Sequence, residues 1–375
     1  MTILSYGMVK IGLTNAALAG LLGGLLPSRV DAASCTSGSW GSLAGAWDGR
    51  RRVDVAIGGR VLQGAIHAPW YRAVNLALLA VMAGCTVAAL IVLPWSLLPR
   101  DPHWGWLLVP IALLTNFFWA LHHEAIHGGF HPDRERNQLA GRVMAILLGS
   151  SFHVLRFGHL MHHQYNRNPI DRPDAYDPAT TSRWKARLGF LGTLLFGLYL
   201  AEVLAPIACL LPRATVRRVI DRIYRGDDPA VSAIRLAAHR QFLDPKRLRL
   251  IRTDVFLAWA LVVLSAILFG AYWPMLVAFL VARAALISIF DNVYHFGTPI
   301  DRPDYARNLH LPAPLRLLIL NMNMHRVHHQ RPSLPWWALP VQFEANGDRY
   351  DAPLIASALV QFSGPIAIPD LRPVK

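Results

Sequence analysis

The chain is poor in cysteine, and this excludes several classes of site. Only three cysteines occur in 375 residues, and they stand alone at Cys35, Cys85 and Cys209. Their spacing provides no disulfide framework, no zinc ribbon and no rubredoxin-type iron centre. Cys85 and Cys209 lie in apolar runs and are expected to be packing residues. Any electron-transfer group must therefore come from another protein.

Charge is also scarce, and negative charge most of all. Charged residues make up 16% of the chain and hydrophobic residues 54%, with a mean hydropathy of +0.32. This balance excludes an ordinary soluble domain and indicates a multi-pass membrane protein. There are 23 acidic residues against 37 lysines and arginines. The excess cations are expected to mark cytosolic loops, with contact to anionic lipid or an acidic partner as an additional role. No motif supports nucleic-acid binding.

Apolar runs alternate with polar, arginine-rich segments, which predicts an all-α membrane protein with four transmembrane helices and a cytosolic helical cap. A helix needs roughly 20 apolar residues to cross a bilayer. The predicted divisions are an N-terminal leader or cytosolic region (1–72), a membrane domain (73–345) and a C-terminal tail (346–375). An apolar stretch at 11–27 is compatible with a signal-like leader or a non-spanning segment. The predicted spans are 74–98, 104–121, 254–271 and 274–292.

Three short clusters hold about half of the sixteen histidines. Neutral imidazole binds first-row metals well at neutral pH. In each cluster the histidines are spaced three or four residues apart, which places them on one face of a helix. The clusters together predict a site for two metals inside a helical bundle. The candidate ligands are His123 and His127, then His159, His162 and His163, then His325, His328 and His329.

Several further residues are candidates for the same site. His122, five residues before His127, is an alternative ligand with poorer geometry. His295 follows the last predicted span and is expected to be a ninth ligand, with Asp291 one helical turn earlier as a direct or water-mediated ligand and Asn292 as its alternative. A repeated Pro-Ile-Asp-Arg-Pro-Asp segment, at 169–174 and 299–304, follows the second cluster and His295. Because metal-bound histidines usually donate their other N–H to a carboxylate or carbonyl, its aspartates are candidate supports: Asp171, Asp174, Asp301 and Asp304.

The apolar run 188–211 is ambiguous, because Glu202 and Pro206 interrupt it. The three clusters must reach one face of the membrane to share a metal site. If 188–211 crossed the membrane, the second and third clusters would lie on opposite sides, and the basic stretch 213–252 would lie outside, against the positive-inside rule. We therefore expect 188–211 to lie in or dip into the cytosolic interface.

Two alternatives belong to other functional classes. His123-Glu124-x-x-His127 is also the zincin pattern, in which the glutamate is a general base. An intramembrane zinc protease needs only three protein ligands, however, and does not explain the other two clusters. A non-enzymatic metal-binding or transport protein would place histidines along a pore, whereas these clusters fall at the ends of the predicted helices.

The clusters resemble the integral-membrane fatty acid desaturase and hydroxylase superfamily. That superfamily has the motifs HX3-4H, HX2-3HH and HX2-3HH on the cytosolic face and a late histidine, here His295. The segment 332–340 is also similar to it, and the resemblance covers roughly residues 70–345. Members with a known late ligand pair often have Asn four residues before the late histidine, where this chain has Asp291.

The resemblance implies a non-haem centre of two iron ions that activates O2 for oxidation of a fatty acyl chain. The eight cluster histidines would be catalytic ligands, and two electrons would come from an external ferredoxin-, rubredoxin- or cytochrome-b5-like donor and its reductase. We expect desaturation of an acyl-lipid, acyl-CoA or acyl carrier protein substrate. Hydroxylation, ketolation and oxidative decarboxylation of a free fatty acid to a 1-alkene remain open alternatives. The expected location is a bacterial inner membrane, with the histidine clusters on its cytosolic face.

Overall fold

The computed structural model describes residues 55–57, 60–62 and 69–371. The leader segment 11–27, Cys35 and His67 lie outside the described residues. The predicted all-α architecture is confirmed, with only two- and three-residue strands beside the helices. The helices are α1 (Pro69–Val87), α2 (Leu108–Leu113), α3 (Thr115–His127), α4 (Arg134–Leu147), α5 (Phe152–Tyr165), α6 (Arg183–Gly192), α7 (Leu198–Leu204), α8 (Arg213–Ile223), α9 (Pro229–Phe242), α10 (Pro245–Phe269), α11 (Trp273–Asn292), α12 (Ala313–Arg316), α13 (His325–Gln330), α14 (Leu339–Ala345) and α15 (Leu354–Val360).

Shorter helical turns extend or join these helices. π-Helical turns cover Ala88–Leu97, after α1, and Thr193–Gly197, between α6 and α7. The 3-10 turns are Pro102–Leu107, Ala205–Leu210, Gly270–Tyr272, Leu317–Ile319, Trp336–Ala338, Gln361–Ser363 and Ile368–Asp370. The strands are β1 (Val55–Ile57), β2 (Arg60–Leu62), β3 (Ala175–Tyr176), β4 (Leu309–His310), β5 (Ala352–Pro353) and β6 (Ile366–Ala367).

Several helices are long and apolar enough to cross a membrane. Among the described residues, three helical stretches meet this description: Pro69–Leu97, Arg183–Leu210 and Pro245–Asn292. Two bent pairs raise the number to five if each pair is one span. These are Pro102–Leu113 with Thr115–His127, bent by 41°, and Arg134–Leu147 with Phe152–Tyr165, bent by 99°. The protein is therefore a helical membrane protein, and the count of four spans stays a prediction.

The stretch Pro245–Asn292 folds back on itself at Gly270, where φ is +49°. On one side of the turn, Asp254 of α10 binds Arg142 at 2.8 Å. On the other side, Arg283 of α11 donates to the Leu147 carbonyl at 3.2 Å. Arg142 and Leu147 are about 8 Å apart along α4, whereas a straight helix would separate Asp254 and Arg283 by about 44 Å. The two helices, which contain the predicted spans 254–271 and 274–292, therefore form a hairpin with its turn at Gly270–Tyr272.

The segment Arg183–Leu210 runs across the polar end of this hairpin. The Tyr199 N–H donates to Ser288 Oγ of α11 at 3.3 Å, and Arg252 of α10 donates to the Cys209 carbonyl at 2.9 Å. Ser288 and Arg252 each lie roughly 25 Å from the hairpin turn, at 1.5 Å per residue. Tyr199 and Cys209 are therefore held at about the same depth, although ten residues separate them.

Helices α8 and α9, which precede the hairpin, and the C-terminal strands, which follow it, pack around the helices that carry the histidines. Helix α9 begins with a side-chain cap: Asp228 accepts from the Ala230 N–H, and the proline after it has no N–H to leave unpaired. The apolar faces of α8 and α9 cover α5 through Val216, Ile234 and Phe242. The predicted C-terminal tail, as far as Leu371, adds β5 in parallel to β4 and β6 in parallel to β3. These pairings bring residues 352–367 against the loops around His295.

Candidate metal centre

Helix α3 carries the first pair of predicted ligands in its last two turns. Gly128 ends the helix in the left-handed conformation, with φ +80°, which favours glycine. His123 and His127 are four residues apart, and their ring centroids are 4.6 Å apart on one face of the helix. His122 lies on another face, where its ring contacts Trp119 and Phe152.

The second and third sets are carried by α5 and α13. Helix α5 packs against α3, and α13 is a short helix of six residues. Two non-glycine residues in the left-handed region, Leu320 (φ +48°) and Asn321 (φ +58°), turn the chain before α13. The Asn321 side chain donates to the Trp336 carbonyl at 3.1 Å and stabilises this turn. The turn lets α13 enter the space between α3, α5 and the end of α11.

The structure brings all nine predicted histidines together in two adjacent groups. Within each group the potential ligand atoms lie within 4.8 Å of one another. The five-histidine group draws on α3, α5 and α13, and the four-histidine group draws on α5, α13 and the loop after α11. The first contains His123, His127, His159, His163 and His328, and the second contains His162, His295, His325 and His329.

The spacing of the imidazole nitrogens fits a shared metal ion in each group. In the five-histidine group, His159 Nε2 lies 2.8 Å from His127 Nε2 and 3.0 Å from His163 Nε2. In the four-histidine group, His295 Nε2 lies 3.1 Å from His162 Nε2 and 3.2 Å from His325 Nε2. Because metal–nitrogen bonds are about 2.0–2.1 Å long, two ligands at right angles have nitrogens about 2.9 Å apart.

Unpaired buried nitrogens give a second indication. His123 has both ring nitrogens buried without a hydrogen-bond partner among the described residues, and Nε2 of His329 is in the same position. A buried polar atom with no partner costs about 1–3 kcal/mol. A bound cation would accept the lone pair of one His123 nitrogen and that of His329 Nε2, since the other nitrogen of a neutral imidazole carries a proton. Neutral nitrogen donors in this number suit a first-row transition metal.

Two histidines of the four-histidine group are oriented through their second nitrogen. His162 Nδ1 lies 2.7 Å from Asp171 Oδ2, and both side chains are buried. His295 Nδ1 lies 3.1 Å from the Tyr305 carbonyl oxygen. Donation from Nδ1 leaves the Nε2 lone pair directed into the group, which is the arrangement usual for metal-bound histidine. Asp171 thus occupies the supporting position expected for an aspartate of the repeat.

The other repeat aspartates have different surroundings. Asp174 is fully buried and accepts from Arg167 Nη1 at 2.7 Å and from the Gly297 N–H at 2.7 Å. Arg167 also donates to the Thr298 carbonyl at 2.8 Å. This ion pair therefore joins the loop after α5 to the loop that carries His295. Asp304 pairs with Arg302 at the exposed surface, and Asp301 is exposed.

The histidines of α13 and its neighbouring loop are held neutral by their surroundings. Burial lowers the pKa of His328 to about 3. Burial, together with the other histidines of the site, lowers the pKa of His295, His325 and His329 well below the ordinary value. Their lone pairs are therefore free to bind a metal at neutral pH, since protonated imidazole is not a ligand.

Three other residues named from the sequence lie outside the two groups. His122 packs against Trp119 and Phe152. Glu124 accepts from Tyr71 Oη at 2.8 Å, so its carboxylate is held against α1. Asp291 belongs to neither group but lines a cavity of about 30 Å³ together with His123, His159 and His325. Its alternative, Asn292, donates to Gln361 Oε1 at 2.6 Å.

Sequence reasoning did not find Tyr71, Arg167 or Tyr305. Tyr305 contributes its backbone carbonyl, and because every residue has one, the residue type does not predict this contact. Arg167 is 1% exposed although it lies in a polar segment. Its position between the second cluster and the first repeat is the one sequence signal that could have indicated its role. Tyr71 lies near the start of α1, more than fifty residues from Glu124.

No curated protein matches the chain. A family model for fatty acid desaturases matches residues 102–355, a range that contains α2, α3, α4, α5, both metal groups and the hairpin α10–α11. This range is more than half of the chain and includes every predicted ligand, so the protein belongs to the fatty acid desaturase family, a family of oxidoreductases.

Proposed function

We propose that the protein is a membrane-bound, non-haem diiron oxidoreductase that uses O2 to introduce a double bond into a fatty acyl chain. The observation that carries the proposal is the pair of adjacent groups of five and four histidines, in a chain of the fatty acid desaturase family. A zinc protease needs three ligands and one open position. It would leave most of these buried histidines without a role.

The residues around the two groups would hold the metals and exclude water. Two iron ions, when bound, would supply the activation of O2 and the removal of hydrogen from an unactivated C–H bond. The histidines provide neutral ligands, which leave the ions strongly Lewis-acidic. Asp171 and the Tyr305 carbonyl keep His162 and His295 in the tautomer that has its proton on Nδ1 and its lone pair on Nε2, where the metal would bind. Tight packing around His123 and His328, each 2% exposed, keeps bulk water away.

The cavity at the metal groups suits an apolar chain. Its lining residues on α3 are Asn116, Trp119, Ala120 and His123. Along the same helix face, Val109, Ala112 and Leu113 of α2 line a largely apolar groove of about 760 Å³ that continues between α2 and α11. Binding sites for small molecules usually have volumes of about 300–1,000 Å³ and mostly apolar walls. An acyl chain that lies in the groove would bring its carbons to the edge of the metal groups.

We also propose four spans with the histidine groups on the cytosolic face of a bacterial inner membrane. In this arrangement Arg183–Leu210 does not cross, which is supported by the equal depth of its contacts at Tyr199 and Cys209. Both ends of the hairpin then lie on the side of the basic helices α8 and α9, as the positive-inside rule requires. The two electrons for each turnover would come from an external ferredoxin-, rubredoxin- or cytochrome-b5-like donor with its reductase.

Lipid and hydrocarbon profiling of an expressing host tests the proposed reaction. We expect a new unsaturated acyl chain with the wild-type protein and none with His328→Ala at equal membrane content. A hydroxy acid, a keto product or a 1-alkene instead would show that the same site serves hydroxylation, ketolation or decarboxylation. Metal analysis of the purified protein should find iron, one ion for each of the two groups, and zinc alone would refute the diiron proposal.

A further inference from the structure

The two metal groups differ in how far they lie from the surface. All four histidines of the four-histidine group are buried, whereas His127 and His163 of the five-histidine group are only partly buried. His127 is the last residue of α3, and the exposed Gly128 follows it. The five-histidine group therefore reaches the surface at the end of α3 that points away from the apolar groove.

Three arginines border this exposed edge. Arg156 of α5 donates from Nε to the carbonyl of Ile126, the residue before His127, at 3.0 Å. Arg134, the first residue of α4, and Arg247, near the start of α10, are exposed. Asn137, one turn after Arg134 on α4, donates to the Ala125 carbonyl of α3 at 2.8 Å. Arg247 donates to Gln241 Oε1 at 2.6 Å, and Gln241 donates to the carbonyl of His153, one turn before Arg156 on α5, at 3.3 Å. We call Arg134, Arg156 and Arg247 the arginine rim.

Within the described part of the chain, the rim has no ion pair that neutralises it. The ion pairs found there join other arginines, such as Arg142 with Asp254 and Arg167 with Asp174. Of the carboxylates next to the rim in sequence, Asp133 and Asp244 serve as helix caps, and Glu135 is exposed. Asp133 accepts from the Arg136 N–H at 2.8 Å, and Asp244 accepts from the Arg247 N–H at 2.8 Å. Three arginines without a neutralising ion pair therefore border the end of α3, where His127 of the five-histidine group is only partly buried.

We propose that the arginine rim is the docking surface for an acidic, one-electron donor protein of the ferredoxin type, which delivers electrons at the His127 and His163 edge. The inference rests on the proposed function. Reduction of one O2 to two waters takes four electrons and four protons. Two electrons and two protons leave the substrate as the double bond forms. Two donor molecules are each oxidised by one electron, and solvent supplies the other two protons.

Two observations favour a protein donor over a lipid headgroup as the occupant. First, neither of the cysteines in the described residues, Cys85 and Cys209, lies in a metal-binding group, so the electrons must enter from outside. Second, the apolar groove lines the opposite end of the α2–α3 pair, at Val109 and Leu113, which places the rim away from the hydrocarbon. Complementary charge near a redox site raises the rate of encounter with a small partner, and salt screens it.

The test uses the iron-loaded protein in nanodiscs of zwitterionic lipid and, in a parallel series, in nanodiscs that also contain anionic lipid. An acidic plant-type [2Fe–2S] ferredoxin is the probe. The variant is Arg134→Glu with Arg247→Glu, since both side chains are exposed. A matched control is Arg217→Glu with Arg222→Glu, two exposed arginines of α8. The measurements are binding of oxidised ferredoxin, the KM for reduced ferredoxin, and both quantities as a function of salt.

We expect the rim variant to weaken ferredoxin binding and to raise its KM about tenfold at low salt, with the difference fading as salt screens the charges. Product formed in a single turnover after reduction with dithionite should not change. The control variant should bind ferredoxin like the wild type. An unchanged KM in the rim variant, or a larger effect in the α8 control, would overturn the proposal. So would an effect seen only when anionic lipid is present, which would assign the rim to lipid headgroups. Absence of any product with dithionite in the wild type would instead refute the proposed function.

Discussion

Replacement of Asp171 by asparagine should weaken metal binding at the four-histidine group specifically. Asp171 is 2% exposed, and its Oδ2 lies 2.7 Å from His162 Nδ1. The amide has nearly the same shape but no charge, so it orients the imidazole less strongly and makes Nε2 a poorer donor. Loss of such a supporting contact typically costs 10–100-fold in metal affinity, or about 1.4–2.7 kcal/mol. We therefore expect Asp171→Asn to lose affinity within this range.

The internal repeat provides a matched control. Asp301 occupies the same place in the second Pro-Ile-Asp-Arg-Pro-Asp segment but is exposed, so Asp301→Asn should leave metal binding unchanged. The assay is iron retention against a competing chelator, combined with Mössbauer spectroscopy to distinguish the two sites. Asp171→Asn should lose iron from one site before the other. Equal iron affinity in Asp171→Asn and wild type, in a folded protein, would refute the role assigned to Asp171.

The remaining predictions address the ligands, the topology and the effect of pH. His328→Ala and His162→Ala should each remove product while the protein stays in the membrane, and metal analysis should find a different group depleted in each, because the two residues belong to different groups; full activity in either variant would exclude that residue as a ligand. In a cysteine-accessibility scan of a cysteine-free background, Thr215→Cys should be labelled from the cytosolic side and Ala271→Cys, at the hairpin turn, from the opposite side; labelling of both from one side would refute the four-span topology. The pKa of His328 is lowered to about 3 in the folded state, so the unfolded chain binds a proton at higher pH than the folded chain does. The contribution of neutral His328 to the free energy of unfolding is therefore fully present above about pH 6.5 and is lost as the pH falls toward 3. Thermal unfolding of the metal-free protein should therefore occur at lower temperature at about pH 5 than at about pH 7, and a pH-independent midpoint would contradict this reasoning.

Much of the site was predictable because its signals are local. A spacing of three or four residues places side chains on one helix face whatever the fold, so each cluster could be interpreted alone. His295 was predictable from its place after an apolar run. The repeated segment led to the prediction that Asp171 contacts a histidine of the site, and Asp171 does contact His162. In the described part of the chain, Asp301 and Asp304 of the second copy contact no histidine of the site, since two copies of a segment need not have the same neighbours. The fold class followed from long apolar runs, which require helices in a bilayer.

The residues alone determined that the protein is a helical membrane protein, and they predicted which histidines bind metal and that two metals are bound. Only the tertiary structure decided how the histidines divide: His162 and His163 are adjacent in sequence yet belong to different groups, because successive residues on a helix point about 100° apart. It also decided that His328 joins α3 while His325 and His329 face His295. Two further features depend on contacts between segments that are far apart in the sequence: Arg167 is buried against the His295 loop, and the site is partly exposed at His127. Local sequence patterns do not predict such contacts.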